Sequence, residues 1–264
     1  MDLEIKISNW LEKQGYPLEM FVSQKFRKHN FSVSQSLYYH DDELGKNREI
    51  DILAHKGVFV YDTFVTIDYV IECKSSTKPW LLFSAKKRDP FDITYDCLHS
   101  EEAIPLVIDL SAKDLQQKIF PFHFELVGYG LTQAFSNGND IAYKAISSLY
   151  KYSVSSIKTS NEKKYIDCKI IMPVLVIDTP LYEVYLSSNY EMKIRNREVG
   201  FLSLRNLISD YQNISIIIVT KNYLDKFCKS AKSSAAWLIN YCKNNLKSIQ
   251  EEDKKLNEEL LEDN

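Results

Sequence analysis

The sequence predicts an α/β fold, and three observations predict it. Residues 170–177, Ile-Ile-Met-Pro-Val-Leu-Val-Ile, are almost unbroken apolar chain, the pattern of a strand buried on both faces. Two β-branched runs, Glu49–Ala54 and Ile67–Lys74, read as further strands. Apolar residues at helical spacing flank them, Leu18, Phe21, Val22 and Phe26 before and Ile141, Ala145, Leu149 and Tyr152 after.

In chain order, Pro17 and Leu18 open a helix over about 17–29, because proline at a first helical position loses no hydrogen bond. Residues 31–39 read as a strand, followed by the polar turn His40-Asp41-Asp42-Glu43 and the strand of Asp51. Residues 56–65 are a connection or a strand extension. After the Ile67–Lys74 strand, residues 78–138 read as an insertion of some sixty residues, with a helix near 100–119 capped by Ser100. Asn139 or Asp140 caps a helix over about 140–156. Pro173 is awkward in the apolar strand that follows, since it cannot donate to a ladder. Residues 181–186, 192–195 and 214–220 extend the sheet. From 222 the pattern turns helical. Leu224, Cys228, Ala231, Ala235, Leu238 and Cys242 step by four and three, the seam of a helix docked on the body or of a dimer helix; weak in Leu and Ile, it favours docking. Residues 250–264 carry seven acids and two lysines and read as an exposed, mobile tail.

Two short strings carry the chemistry, Arg-Glu-Ile-Asp at 48–51 and Ile-Glu-Cys-Lys at 71–74. Alternation along a strand puts Glu72 and Lys74 on one face and turns Cys73 the other way, with Ile71, toward a core. If the two strands pair, Asp51, Glu72 and Lys74 converge. Charged groups embedded in such apolar runs are costly unless paired or metal-bound. Two carboxylates suit Mg²⁺, a hard ion that prefers oxygen ligands. With a lysine beside them, they suit phosphodiester cleavage, where an anionic transition state must be neutralised and water made a better nucleophile. Glu19 borders the apolar stripe of its helix, so it is either an inward-looking acid or a first-turn acid favoured by the helix dipole.

The strings at 48–54 and 70–76 resemble those of the PD-(D/E)XK, or restriction-endonuclease-like, nuclease superfamily, most nearly its Mrr-type and junction-resolvase members. The resemblance covers residues 17–74 well and about 139–178 moderately; there is no proline before Asp51, a position kept loosely in the superfamily. It implies a core of helix, three strands, helix and strand within residues 1–221. It also implies metal binding by Asp51 and Glu72, a water-positioning Lys74, Glu19 as an additional acid, Mg²⁺ as cofactor with Mn²⁺ able to substitute, and DNA as partner in restriction, defence or repair. Lys78 and the basic triplet Lys86, Lys87 and Arg88 follow the site strand and could meet phosphates, although a solvated charge run is the commoner origin of such a triplet. Lys144 lies on the helix that related nucleases place over the site. Trp80 is either a stacking platform or a core indole.

The 264 residues suffice for a sizeable core, and 45% of them are hydrophobic. The net charge of −3 is concentrated in the acidic tail, leaving the rest slightly basic. No apolar run approaches the length of a membrane helix, and the N-terminus lacks a signal-peptide pattern. The five cysteines form no C-x-x-C pair and read as reduced thiols of a cytoplasmic protein. Gly128-Tyr129-Gly130 fails as a dinucleotide fingerprint because position 133 is Gln. Walker, G-x-S-x-G and H-E-x-x-H motifs are absent, which excludes an encoded ATP motor and these hydrolase classes. A second reading is of another class: a catalytically inactive nuclease-like fold that binds protein or nucleic acid.

Overall fold

In a computed structural model of the chain, the described residues are 2–41, 43–86, 93–119, 124–136, 141–204 and 213–262, without the side chains of 12, 13, 94, 95, 257 and 260–262. Two helices open it, α1 (Leu3–Gln14) and α2 (Tyr16–Lys28), joined at Gly15, whose φ of 85° needs a residue without Cβ. Strands β1 (Ser32–Asp41), β2 (Lys46–Val60) and β3 (Thr63–Lys74) form an antiparallel meander. There follow β4 (Trp80–Lys86), α3 (Ile93–Asp96), β5 (Leu98–His99), α4 (Ile104–Ala112), β6 (Leu126–Gln133), α5 (Ile141–Asn161) and β7 (Ile166–Ile177). Strands β8 (Leu181–Leu186), β9 (Met192–Arg197), β10 (Val199–Leu204) and β11 (Ile214–Thr220) lead to α6 (Leu224–Glu262).

Among the described residues, eleven strands join one mixed sheet in the order β1-β2-β3-β7-β11-β10-β6-β4-β8-β9, with β5 on β7. The α/β class holds, but the sheet is far larger than the compact core expected. The insertion expected over 78–138 supplies strands to it, β4, β5 and β6. Leu82 of β4 is lodged between Gly128 of β6 and Gly200 of β10, where a Cβ would stand 2.3 and 2.7 Å from its methyl carbons. β7 is central, parallel to β3 on one side and to β11 on the other. Pro173 is tolerated where this second edge changes partner, from β5 at Ile170 and Ile171 to β11 from Val174 onward.

Each face of the sheet buries its own core. On one, α2, α4 and α6 bring Phe26, Leu110, Phe227 and Leu238 against Ile67, Tyr69, Ile71 and Cys73. On the other, α5 brings Ala145, Leu149 and Tyr152 against Val70, Ile171 and Leu175. The expected seam of α6, from Leu224 to Cys242, is buried in the first core, so this face docks on the body and is not available to a second copy. α6 also runs on through the expected mobile tail. The pairs Lys247–Glu251 and Lys254–Glu258 extend it at helical spacing, and Gln250 Nε2 reaches Thr63 Oγ1 at 3.2 Å. Ser100 precedes a 3₁₀ turn rather than capping a long helix, and its hydroxyl donates to the Asp167 carbonyl. The cap expected at Asn139 or Asp140 lies outside the described residues. All five cysteines are buried and unbridged, and among the described residues no helix is long and apolar enough to cross a membrane.

The β1–β2 hairpin is clamped onto α5. Lys151 Nζ donates to both oxygens of the buried Asp41 carboxylate at 3.0 Å and to Glu43 Oε2 at 2.7 Å. His40, expected in the polar turn, ends up in β1 with its Nδ1 3.3 Å from Asn47 Oδ1. Burial pushes the Asp41 carboxyl up, but the bonds from Lys151 and from the Leu44 N–H, with Arg48 nearby, bring it below its usual value. Its ionised form is therefore stabilised by folding, a contribution present at neutral pH and lost as pH falls through the folded-state pKa. Lys151→Met should destabilise the protein by roughly 3 kcal/mol at pH 7 in urea unfolding, because it strands a buried carboxylate. The gap should close as pH falls through the folded-state pKa of that carboxyl, where it becomes protonated in both states. Equal stability at pH 7 would refute the clamp.

Candidate functional site at the parting of two strands

The ladder between β2 and β3 runs from Val60↔Thr63 to Ile52↔Ile71 and ends there. β3 continues, paired only to β7, through Lys74↔Ile177. The last residues of β3 therefore lose their β2 partner, and backbone groups left so must find another. Asp51 supplies one: its Oδ2 accepts the Cys73 N–H at 2.7 Å. The β1–β2 pair also changes face here. Val33, Ile52 and Ala54 pack into the α2/α6 core, whereas Leu37, Tyr39 and Ile50 pack into the α5 core. The switch coincides with Ser36, whose φ of 54° lies in the left-handed region.

Glu72 and Lys74 share the β3 face opposite Cys73, as alternation requires. Lys74 Nζ donates to Glu72 Oε1 at 2.6 Å. The other oxygen, Glu72 Oε2, is buried and has no hydrogen-bond partner among the described residues, an unusual state for a buried carboxyl. Glu19 enters from the first turn of α2. Its neighbours Leu18 and Val22 are buried in the core, while Glu19 itself is half-buried and feels the charges of Asp51, Glu49 and Lys74. The four expected residues, Glu19, Asp51, Glu72 and Lys74, thus feel one another's charge at one place.

Their charges do not balance. Burial, then Asp51, pushes the Glu72 carboxyl up to about 7, with Lys74 pulling against them. Burial, then Asp51 and Glu49, lifts Glu19 to about 6. Burial also raises Asp51, opposed by Lys74 and the Cys73 N–H. For Lys74 burial works against the charge, but Glu72 and Asp51 outweigh it and hold the ammonium above its usual value. Three acids facing one ammonium leave excess negative charge in a desolvated place, which a cation would relieve.

Two carboxylates of this set could hold a hard divalent ion. Asp51 Oδ2 is held by the Cys73 N–H and Glu72 Oε1 by Lys74, which leaves Asp51 Oδ1 and the orphaned Glu72 Oε2 as ligand atoms. Among the described residues no group of three or more His, Cys, Asp or Glu side chains is arranged to hold a metal. A two-carboxylate contribution is nevertheless what Mg²⁺ commonly takes, with water and phosphate completing its shell.

The expected phosphate contacts are scattered. Lys78, in the turn after β3, donates to the Phe135 carbonyl at 2.5 Å. Lys86 is exposed at the end of β4, five strands from β3 in the sheet order. Lys144 is exposed on the first turn of α5. Lys87 and Arg88 lie outside the described residues. Trp80 is fully buried in the α5 core, so it is no stacking platform. Sequence reasoning missed the Cys73 N–H, a backbone group that no side-chain motif encodes.

A carboxyl whose pKa rises on folding keeps a proton that the unfolded chain releases. Between pH 4.5 and about 7, Glu72 therefore makes the fold less stable as pH increases. Glu72→Gln removes that penalty and keeps the shape. It should raise stability by roughly 2–3 kcal/mol at pH 8, with the gain fading below about pH 5, measured by thermal unfolding across pH. A variant less stable than the parent at pH 8 would contradict this charge imbalance.

No protein-family model, curated protein or solved structure matches the chain.

Proposed function

We propose that the protein is a divalent-metal-dependent nuclease that hydrolyses phosphodiester bonds, with DNA as its substrate, and that its core is a variant of the PD-(D/E)XK fold. The observation that carries this reading is the orphaned Glu72 Oε2 beside an Asp51 carboxylate locked by the Cys73 N–H, with Lys74 alongside. The run α2, β1, β2, β3, α5, β7, with β1-β2-β3-β7 adjacent in the sheet, supports the fold part of the reading. The additional strands and α6 would then be elaborations around it.

Asp51 and Glu72 would hold the ion. Bound there, Mg²⁺ would offset the charge of the scissile phosphate and make water more acidic. The Cys73 N–H fixes the Asp51 carboxylate, so its free oxygen does not have to be ordered during the reaction. Lys74 can turn its ammonium from Glu72 Oε1 to the attacking water or to the oxyanion that develops on phosphorus. Its raised pKa keeps it charged throughout neutral pH. Glu19 can accept a proton or hold a water at the rim, since its pKa near 6 is close to working pH.

The lack of a three-donor group among the described residues favours one alternative, a nuclease-like fold that binds nucleic acid or protein without cutting. The two readings separate on purified protein incubated with plasmid and single-stranded DNA in Mg²⁺, Mn²⁺ or chelator. Cleavage that chelator abolishes is expected. Lys74→Ala should lower its rate at least about 100-fold while leaving Mn²⁺ binding in place. Asp51→Asn should lose both. Wild-type cleavage by both variants would remove these residues from the mechanism, and an inert wild type would favour the binding module.

A further inference from the structure

A second recess lies along the same edge of the sheet. It is a cleft of about 170 Å³ at the carboxyl ends of β7 and β11. Lys74 registers with Ile177 and Ile177 with Thr220, so the cleft begins one residue past the partner of Lys74. Neighbouring strands stand about 4.8 Å apart, which places the cleft roughly 5–10 Å along the edge from the end of β3. In open α/β sheets the carboxyl ends of parallel strands are where ligands settle. α2 ties the two places together. Lys221 of the cleft lies over the ring of Phe21, at 5.2 Å, and Phe21 is two residues from Glu19.

The chemistry of the lining is not that of a simple anion pocket. It offers the carboxamides of Asn196 and Asn222 and the cations of Arg197 and Lys221. Two acids also line it, Asp178, which accepts the Ser76 N–H at 3.0 Å, and Glu198, which accepts the Thr220 hydroxyl, and Arg197 Nε lies 3.8 Å from the Glu183 carboxylate. A ligand meets a pair of amides, each with donor and acceptor, and two cations interspersed with these two acids. Carboxamides match the edge of a nucleobase, and the cations match its phosphate. A base can present its edge to such a recess only when it is out of a duplex stack.

We propose that this cleft is a nucleotide subsite of the Asp51–Glu72–Lys74 site, taking an unpaired nucleotide next to the scissile phosphate. The substrate class is therefore single-stranded nucleic acid, or the unpaired end or flap of a duplex. The proposal rests on the nuclease reading for its context, but binding tests it separately from cleavage.

The test uses fluorescence anisotropy of the full chain, in chelator and low salt, with a labelled single strand and with the same sequence as a blunt duplex. The wild type should bind the single strand more tightly. The double variant N196A/N222A should weaken single-strand binding about tenfold, the loss expected for two amide contacts, and change duplex binding less than about twofold. N222D, of equal size but without the amide donors, should weaken single-strand binding as well, so the outcome does not depend on the double variant folding. Unchanged single-strand affinity in both variants, an equal loss on duplex, or no oligonucleotide binding by the wild type would overturn the subsite. If the wild type binds single strands through the cleft but never cuts them with Mg²⁺, the subsite stands and the nuclease reading falls. If it cuts while the variants bind as the wild type does, the reverse holds.

Discussion

The candidate site depends on one constraint: β2 stops pairing with β3 at Ile52 and Ile71 while β3 continues beside β7. That parting frees the Cys73 N–H, and the simplest replacement for a lost ladder bond is a nearby acceptor. Asp51 is that acceptor. One of its oxygens thereby becomes structural, its orientation is set by backbone rather than by rotamer chance, and its other oxygen is left for a ligand. The same opening lets α2, which packs on the far core, bring Glu19 to the gap. A sheet paired to the end would have closed the space in which these groups meet.

The second determinant is electrostatic. Glu72 and Lys74 form a part-buried pair, but the pair does not satisfy the local field, because Asp51 and Glu19 add charge of the same sign as Glu72. By contrast, Asp41 at the far end of β1 is bound by Lys151 and approached by Arg48, and its pKa is lowered. Two buried acids of one meander are thus tuned in opposite directions. The Asp41 arrangement holds a hairpin on a helix. The Glu72 arrangement lowers stability as pH rises, and strongly shifted groups of this kind cluster at functional sites. The two cores that sandwich β3 and β7 offset that destabilisation.

Much of this was legible in the sequence, for identifiable reasons. The strands 181–186 and 214–220 coincide with β8 and β11, since short β-branched runs bounded by turn residues leave little choice. The faces of Glu72, Cys73 and Lys74 follow from alternation alone. The stripe of α2 and the seam of α6 are periodic and long enough to identify. The extent of the sheet was not legible, because strand partners are chosen by non-local packing. β6 carries Gly128 and Gly130, which argue against a strand until Leu82 is seen to occupy the space a Cβ would take at Gly128. α1 leaves Leu3, Ile5, Ile7 and Trp10 exposed, so its apolar residues mark no clean buried stripe. The acidic tail read as mobile because its few leucines promise little burial, whereas α6 simply propagates from a docked segment at low cost per residue.

If the parting of β2 and β3 creates a cation site between Asp51 and Glu72, an ion should be found there. The most direct measurement is an anomalous difference map from crystals of the protein soaked in Mn²⁺ near pH 8, where Glu72 is ionised. One strong peak is expected within ligand distance of Asp51 Oδ1 and Glu72 Oε2, lost in crystals of Asp51→Asn. A well-ordered site with no peak between these oxygens, or a peak that persists without the Asp51 carboxylate, would contradict the assignment.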